Sequence, residues 1–529
     1  HDALPIYYND FMTAAEFFWE TVVSHRSLSL GGNSRGEHFP EAGKCSDYMH
    51  ERQGPESCNT NNMLKLTEGL FRMHPKVEYA DFYERAMYNH ILSTQHPEHG
   101  GYVYFTPACP SHYRVYSAPG KAMWCCVGTG MENHGKYGQF IYTHDTVDNA
   151  LYVNLFIPSE LNWKEKKIKI VQETDFPNEE GTTVTVNPSK TTQFKLLIRY
   201  PSWVEQGKMQ VVCNGVDYAK NAQPGSYIAI DRQWSKGDVI EIKTPMTVRI
   251  EELPNVPNAI SIMRGPILLG ARTGTENMPG LIAGDGRWEH IAHGSLVSLF
   301  DAPYIIGERS DILNKLNSMK PVEGKSFSFT VPGLFTQEKY KNLILEPFYG
   351  IHDSRYMMYW LSMSEPAFRE YKQAVEAEEN GRMILDKRTV DMVSSGEQQP
   401  ESDHAMKTQD SHRGVHAGEA WRDARNGGYF EYTLATKGNE NLSLMVRYWG
   451  AESGSRSFDI LVDGQTIATE NIVGKWKKDL FCNVEYNIPA TLLKSKDKIA
   501  VRFQSKPDTT AGGIFAVRLL VPESTVIDK

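Results

Sequence analysis

The spacing of apolar residues changes once along this chain of 529 residues, near residue 148. Before that point apolar residues recur every three or four positions, which is typical of amphipathic helices. After it, apolar and polar residues alternate over short runs separated by turn-forming residues, which is typical of antiparallel strands. The chain is also longer than one hydrophobic core usually serves, so we expect about three or four domains. The sequence therefore predicts a helical layer followed by β-sandwich domains.

Four helices are predicted in the first region, joined by long loops rich in Gly, Pro and Cys. We take Asn9 and Asp10 as the N-terminal cap of the first helix. Its predicted apolar face consists of Phe11, Ala14, Phe18 and Val22. The other three helices are predicted in NNMLKLTEGLFRMH, YADFYERAMYNHILSTQ and GMENHGKYGQFIYTH. In such a layer the loops usually carry the function.

These patterns divide the chain into four regions. Residues 1–147 are helical, 148–272 form a β-sandwich ending near MRGPILLGARTG, 273–405 are a β-rich accessory region, and 406–529 form a second sandwich of jelly-roll type. Within the third region, EPAFREYKQAVEAEENGRM is predicted to be helical and SSGEQQPESD to be a linker.

The composition excludes some classes of partner. The formal net charge is −9, and no basic stripe of the kind that binds a phosphate backbone is present, so we expect no nucleic acid. No apolar run reaches about eighteen residues, so we expect no membrane span. The chain begins with His1, and we expect the native start, with any export signal, to lie upstream.

Cysteine usage points to one part of the chain. Seven cysteines at low density argue against a disulfide framework and for free or metal-bound thiols. Cys213 and Cys482 lie in strand-like runs and are predicted to be core residues. The other five lie between Cys45 and Cys126, so we expect the chemistry there.

Cys125 and Cys126 are adjacent, and neighbouring cysteines rarely bridge each other because the ring is strained. With Glu56 and Cys58 from GPESCNTNNM they offer three thiolates and a carboxylate, which tetrahedral Zn²⁺ accepts. Such a zinc site would carry a formal charge of about −2 and leave one sulfur able to act as a nucleophile. A buried reduced pair, a redox dithiol and a closed structural zinc site stay open as alternatives.

A covalent mechanism also needs a group that donates and accepts protons. Glu37, in GGNSRGEHFPE, lies in a Gly-rich loop that could aim a carboxylate into a cleft, or it is a solvated loop residue. Glu41 is equally eligible by composition.

Other residues offer weaker signals. No histidine pair of the first region has the spacing of a zinc protease together with a glutamate base. The tryptophans of the last region could stack on sugar rings or fill a core; they are Trp421, Trp449 and Trp476.

Four segments resemble the cysteine-dependent β-L-arabinofuranosidases of glycoside hydrolase families 127 and 146: GGNSRGEHF, GPESCNTNNMLKLTEGLF, GGYVYFTP and MWCCVGTGMENHGKYGQFIY. They occur in the expected order, and NNMLKLTEGLF and CCVGTGMENHGKYG look closer to family 146. The resemblance implies an (α/α)6 barrel followed by antiparallel β-sandwich domains. Since such a barrel has twelve helices, residues 1–147 would be its C-terminal portion, with the N-terminal portion expected elsewhere and no activity without it.

The resemblance also implies roles for individual residues. The implied zinc ligands are Glu56, Cys58, Cys125 and Cys126. Cys125 would be the nucleophile, Glu37 the acid/base, and Tyr104 of YFTP a substrate-binding residue. The implied reaction is retaining, exo-acting hydrolysis that releases terminal β-L-arabinofuranose from an arabinose-containing glycan through a glycosyl thioether.

Two other functions stay open. One is a non-catalytic sugar-binding protein in which a structural zinc only holds the loops together, and the other is a zinc hydrolase that uses metal-bound water. A periplasmic or secreted location is implied by the resemblance and the sandwich domains, with the cytoplasm as the alternative.

Overall fold

The computed structural model of the protein describes residues 4–284, 286 and 289–527. The chain divides into two compact units, residues 1–374 and 375–529, which are described separately. The predicted order, helices first and β-rich domains after them, is confirmed. Of the helices in the described ranges, none is both long and apolar enough to cross a membrane.

The helical layer of the first unit contains four α-helices. They are α1 (Leu4–His25), α2 (Ser57–Met73), α3 (Val77–Ala86) and α4 (Cys125–His134). Shorter helical turns lie at Ser46–Met49, Met87–Ile91 and Leu92–Thr94. The long loops between these helices form the candidate site.

The predicted start of α1 is wrong, and its predicted apolar face is confirmed only at Val22. Asn9 and Asp10 lie inside the helix and do not cap it. The buried stripe includes Trp19, whereas Phe11 and Phe18 are exposed. The stripe is therefore offset by about one residue from the prediction, because several adjacent apolar residues in this helix allow more than one face.

The predicted last helix is also shifted. It begins at Cys125 rather than near Gly130, and it ends at His134, directly before Gly135. The segment FIYTH consists mostly of aromatic and β-branched residues, which favour strands, and its last three residues begin β2 (Tyr142–Asp145). The shift places the cysteine pair in the first helical turn.

The first sandwich consists of two sheets. Strand β1 (Tyr116–Ser117) precedes it in a loop. The sheets contain β2, β3 (Ala150–Val153), β4 (Ser159–Trp163), β5 (Ile168–Thr174), β6 (Gly181–Pro188), β7 (Thr192–Tyr200), β8 (Gln210–Cys213), β9 (Val216–Asp217), β10 (Ser226–Trp234) and β11 (Asp238–Lys243). Their orders are β10-β7-β3-β2 and β4-β5-β6-β11-β8-β9.

Helices and sandwich share one hydrophobic core. Phe71 of α2 meets Phe140 edge-to-face with ring centroids 5.1 Å apart, and both belong to the cluster that fills the sandwich. Arg199 of β7 is fully buried and pairs with Asp81 and Glu84 of α3. These contacts attach α2 and α3 to the sandwich.

A further sheet, of nine strands, begins at residue 248. Its elements are β12 (Val248–Leu253), β13 (Val256–Arg264), β14 (Ile267–Gly274), β16 (Ile305–Ile306), β17 (Lys320–Pro321), β18 (Phe329–Thr330), β19 (Ile344–Pro347), β20 (Arg355–Met357) and β21 (Trp360–Met363). Strand β15 (Ile282–Ala283) pairs instead with β1, and α5 (Arg309–Asn317) packs near β12. The strands of residues 248–272 therefore pair with one another and with later strands, and not with strands of the first sandwich. The alternating pattern predicts that these residues form strands, but the partner of each strand depends on tertiary packing.

The second unit is built on nine strands. They are β22 (Thr389–Ser394), β23 (Lys407–His416), β24 (Glu419–Ala435), β25 (Ser443–Trp449), β26 (Ser457–Val462), β27 (Gln465–Asn471), β28 (Phe481–Asn487), β29 (Lys498–Ser505) and β30 (Thr510–Leu520). Its helices are α7 (Gln398–Asp403), α8 (Ala490–Leu493) and α9 (Ser524–Ile527), and α6 (Glu365–Arg388) joins the two units. Trp421, Trp449 and Trp476 are partly buried here.

The prediction that SSGEQQPESD is a linker is wrong. It contains α7, and Glu401 within it is buried. The Glu401 carboxylate accepts hydrogen bonds from Arg422 and from the hydroxyl of Tyr432, at 2.6 and 2.8 Å. This polar segment can be buried because the carboxylate of Glu401 is hydrogen-bonded.

Candidate active site

Four of the predicted site residues converge at the N-termini of two helices. Glu56 precedes α2 and Cys58 is its second residue, while Cys125 and Cys126 begin α4. Their ligand atoms all lie within 4.8 Å of one another. The first turn of a helix has backbone N–H groups without intrahelical partners and a positive dipole end, both of which favour thiolates.

The distances suit a tetrahedral cation. Cys58 Sγ lies 3.2 Å from Cys126 Sγ, and the sulfurs of Cys125 and Cys126 each lie 3.6 Å from Glu56 Oε1. Tetrahedral zinc with bonds of about 2.3 Å would set its ligand atoms about 3.8 Å apart. Within the described ranges this is the one group of three or more such ligands at this spacing. The donor set fits zinc.

The four groups differ in charge state. Burial, and then the charges of Cys125 and Glu37, raise the pKa of Glu56 to about 8. Hydrogen bonds from Cys126 and Cys58 hold the pKa of Cys125 far below its usual range. Burial raises the pKa of Cys126 well above its usual range. These shifts favour negative charge on Cys125 over the other ligands, and a divalent cation would favour ionisation of the others as well.

Cys125 also faces solvent. Cys126 is completely buried, whereas Cys125 is exposed. An ionised and accessible sulfur can act as a nucleophile.

Tyr104 joins the cysteine to the predicted acid/base. Its hydroxyl donates a hydrogen bond to Glu37 Oε1 and lies 3.6 Å from Cys125 Sγ. Burial, followed by the hydrogen bond to Glu37, raises the pKa of Tyr104 far above its usual range, so the hydroxyl stays a donor. Glu41 instead pairs with Lys44 on the surface. The geometry therefore favours Glu37 over Glu41 as the acid/base, a choice that composition alone left open.

Three loops hold these side chains in place. The N–H of Gly36 donates to Gln53 O at 2.8 Å, and the N–H of Ser57 donates to Tyr104 O at 3.0 Å. At Gly54 an added Cβ would lie 2.2 Å from Thr106 O, so only glycine allows the loops to approach this closely. The Glu37, Glu56 and Tyr104 loops are therefore directly hydrogen-bonded or packed together.

Two neighbours of the site were missed by the sequence analysis. Thr129 Oγ1 lies 2.9 Å from Cys58 Sγ, and the His290 ring stacks on Tyr104 with centroids 4.2 Å apart. Thr129 could have been found from its position one helical turn after Cys125. His290 follows no motif and comes from a distant part of the chain.

The remaining cysteines lie outside the cluster. Cys45 and Cys109 are buried, and Cys213 is a core residue as predicted. The prediction for Cys482 is wrong, because its side chain is only partly buried. All seven cysteines lie in the described ranges, and no disulfide joins any two of them.

Comparison with known families follows the same division of the chain. Residues 7–139 match the family described as Beta-L-arabinofuranosidase, GH127 catalytic domain, and residues 150–246 match the GH127 middle domain. The N-terminal half of the chain is therefore similar in sequence to the GH127 β-L-arabinofuranosidases. The predicted resemblance is therefore confirmed for family 127, while the closer likeness to family 146 stays a prediction. Residues 249–362 and 384–520 of the chain match two domain families of unknown function.

Individual relatives are distant. The non-reducing end β-L-arabinofuranosidase of Bifidobacterium longum subsp. longum is 21% identical over 279 residues, covering 48% of this chain and 41% of that protein. A GH127 β-L-arabinofuranosidase structure from Geobacillus stearothermophilus T6 is 19% identical with a TM-score of 0.46, covering 65% of this chain and 56% of that one. Another GH127 β-arabinofuranosidase structure is 21% identical with a TM-score of 0.47, covering 65% and 55%. The chain thus spans less than half the length of the curated relative.

Proposed function

We propose that this chain carries the catalytic groups of a retaining, exo-acting β-L-arabinofuranosidase that acts on an arabinose-containing glycan. One observation carries the proposal: the exposed Cys125 lies beside three further metal-ligand side chains, and its sulfur lies 3.6 Å from the hydroxyl of the tyrosine that binds Glu37. The curated relative is named for removing β-L-arabinofuranose from non-reducing ends. That name supports both the sugar and the exo mode of action.

In the first step, the sulfur of Cys125 attacks the anomeric carbon. The glycosidic C–O bond breaks, and its electron pair stays on the leaving oxygen, which takes a proton from Glu37. The product of this step is a glycosyl thioether on Cys125. Tyr104 holds the Glu37 carboxyl beside the reacting atoms by its hydrogen bond.

In the second step, the Glu37 carboxylate removes a proton from water. The water oxygen attacks the anomeric carbon, the C–S bond breaks, and the electron pair returns to the Cys125 sulfur. Two inversions at one carbon retain its configuration. Retaining glycosidases usually use two carboxylates, and here a thiolate replaces the nucleophilic one.

Zinc is the cation proposed for the cluster. Its ligands would be Glu56, Cys58, Cys125 and Cys126, and bound zinc would keep the sulfurs ionised and stabilise a departing thiolate. The four side chains fix their own geometry through the two helix starts, so they are preorganised for such a cation.

Several wider features belong to the same proposal. We propose that α1–α4 are part of an (α/α)6 barrel, that the protein acts in the periplasm or is secreted, and that the second unit binds carbohydrate. No nucleic-acid partner is expected from the net charge of −9.

The decisive test compares Cys125→Ala with Cys482→Ala in the whole protein that carries this chain. We expect Cys125→Ala to reduce release of arabinose from a β-L-arabinofuranoside by at least about 10³-fold, and Cys482→Ala to leave it unchanged. Mass spectrometry of the wild-type protein during turnover should find the sugar attached to Cys125. Sugar binding without turnover would support the non-catalytic alternative, and turnover without a sulfur adduct would support attack by water; either result overturns the proposal.

A further inference from the structure

The region that matches a domain of unknown function, residues 249–362, reaches into the candidate site. We infer that residues 276–284 and 289–294 of this region, here called the strap, form one wall of the active site, and that His290 is a positioning residue for Tyr104. This inference rests on the proposed function for its catalytic consequence. It gives the accessory domain a part in the reaction.

The first half of the strap is tied to the loop after Tyr104. The guanidinium of Arg355 donates to the carbonyls of Glu276 and Asn277, at 2.7 and 2.5 Å, and also to Ser111 O at 2.6 Å. Strand β15 then pairs in parallel with β1, aligning Ile282 with Tyr116. Backbone and side-chain bonds therefore hold this half to the helical region.

The second half is tied down just beyond His290. Arg52 donates to the carbonyls of Ala292 and Gly294, at 2.9 and 2.5 Å. The N–H of Gly294 donates to the hydroxyl of Tyr113 at 2.9 Å. Arg52 lies only four residues before Glu56, so the strap is bound directly to the loop that supplies a proposed ligand.

Between these two attachments, the strap packs against the reacting side chains. His290 is 7% exposed, and its ring lies nearly parallel to that of Tyr104, with 4.2 Å between centroids and 24° between planes. Trp124, the residue before Cys125, lies 5.4 Å from the same imidazole. Ile291 joins the apolar cluster that contains Tyr104 and Cys126.

The arrangement explains how His290 could affect the reaction without contacting the substrate. The Tyr104 ring has Glu37 and Cys125 at its hydroxyl end and His290 across its face. Removing the imidazole would let the ring tilt, and this would misplace the hydroxyl. A displacement of about 1 Å in such a group can lower a rate by about 10²-fold.

The test uses three variants of the whole protein. His290→Ala removes the stacked ring and His290→Phe keeps a flat ring in its place. His144→Ala is the matched control, because His144 also stacks on an aromatic ring, that of Trp163, in the first sandwich away from the site. We expect His290→Ala to lower kcat by about ten- to a hundredfold with little change in KM, and His290→Phe to restore most of it.

A second measurement does not need turnover. Hydrogen exchange of the backbone amides in residues 102–106 should be faster in His290→Ala than in His290→Phe or His144→Ala, since the loop loses its packing partner. If His290→Ala does not fold, His290→Leu replaces it, because leucine keeps apolar volume without a flat ring.

The two readouts separate this inference from the proposed function. If the proposed function is wrong, the wild-type protein will release no arabinose. Hydrogen exchange in residues 102–106 would then still test the role of His290. Unchanged exchange in residues 102–106 together with unchanged kcat would overturn the inference. Equal effects of Leu and Phe at position 290 would also overturn it, because only a stacked ring is proposed to hold Tyr104.

Discussion

Cys125 Sγ lies 3.6 Å from Oε1 of Glu56, although 69 positions separate the two residues in the chain. The two groups influence each other's protonation. Burial and the nearby Cys125 charge keep the Glu56 carboxyl protonated to about pH 8, whereas hydrogen bonds from the other thiols keep Cys125 ionised. The metal-free site therefore has a thiolate that is already formed and ligands that still carry protons.

Zinc binding should therefore release protons. At pH 7, Glu56, Cys58 and Cys126 are protonated in the metal-free protein, because the pKa of each is raised. Binding with all ligands ionised would release about three protons, and the apparent affinity would fall as the pH decreases below 8. Calorimetry in buffers of different ionisation enthalpy measures this number. Glu56→Gln should release about one proton fewer, and an equal release in both proteins would contradict the assignment of Glu56.

Glu37→Gln tests the acid/base. We expect kcat on a glycoside with a poor leaving group to fall by about 10² to 10⁴-fold, because proton transfer to the leaving oxygen is lost. A nitrophenyl glycoside needs less protonation, so its first step should suffer less. Glu41→Gln is the matched control from the same loop, since Glu41 pairs with Lys44. Equal losses in Glu37→Gln and Glu41→Gln would exclude a specific role for Glu37.

Tyr104→Phe tests the bridge between the two catalytic groups. The variant keeps the ring that packs on His290 but loses the hydroxyl that donates to Glu37. We expect a fall in kcat of about tenfold or more, because Glu37 loses the hydrogen bond that positions its carboxyl group. Zinc content should stay unchanged. A kcat equal to that of the wild type would show that the hydrogen bond does not matter in turnover.

Arg199→Ala tests the attachment of the helices to the sandwich. The buried guanidinium pairs with Asp81 at 2.6 Å and with Glu84, whose other oxygen accepts from Trp203 Nε1 at 2.8 Å. Removing it leaves two carboxylates without their cation, so we expect the free energy of unfolding to fall by about 3–5 kcal/mol.

Chemical denaturation measures the Arg199 effect. Arg232→Ala is the control from the neighbouring strand, because Arg232 is partly exposed and lies 3.6 Å from Asp238. We expect Arg232→Ala to change the free energy by less than about 1 kcal/mol. Similar losses in both variants would mean that the buried network contributes no more than a surface pair.

The candidate ligands were predictable from the sequence because the chemistry restricts residue types. Only cysteines supply thiolates, the adjacent pair Cys125–Cys126 and the Glu56-Ser57-Cys58 segment offer three of them with a carboxylate, and the family resemblance implied the same four residues. The change from helical to alternating patterns was predictable for a similar reason, because each periodicity buries only one kind of face. Helix ends and strand partners were harder to predict. The starts of α1 and α4 and the pairing of residues 248–272 are the examples.

The sequence by itself determined the kinds of groups present and their local helix or strand preference, because these depend on side-chain chemistry and on neighbours a few positions away. Only the tertiary structure decided that Tyr104 binds Glu37, that Cys125 is exposed while Cys126 is buried, and that His290 packs on Tyr104. Those relationships join residues up to about two hundred positions apart. They depend on how loops pack on one another, and no local pattern encodes that packing.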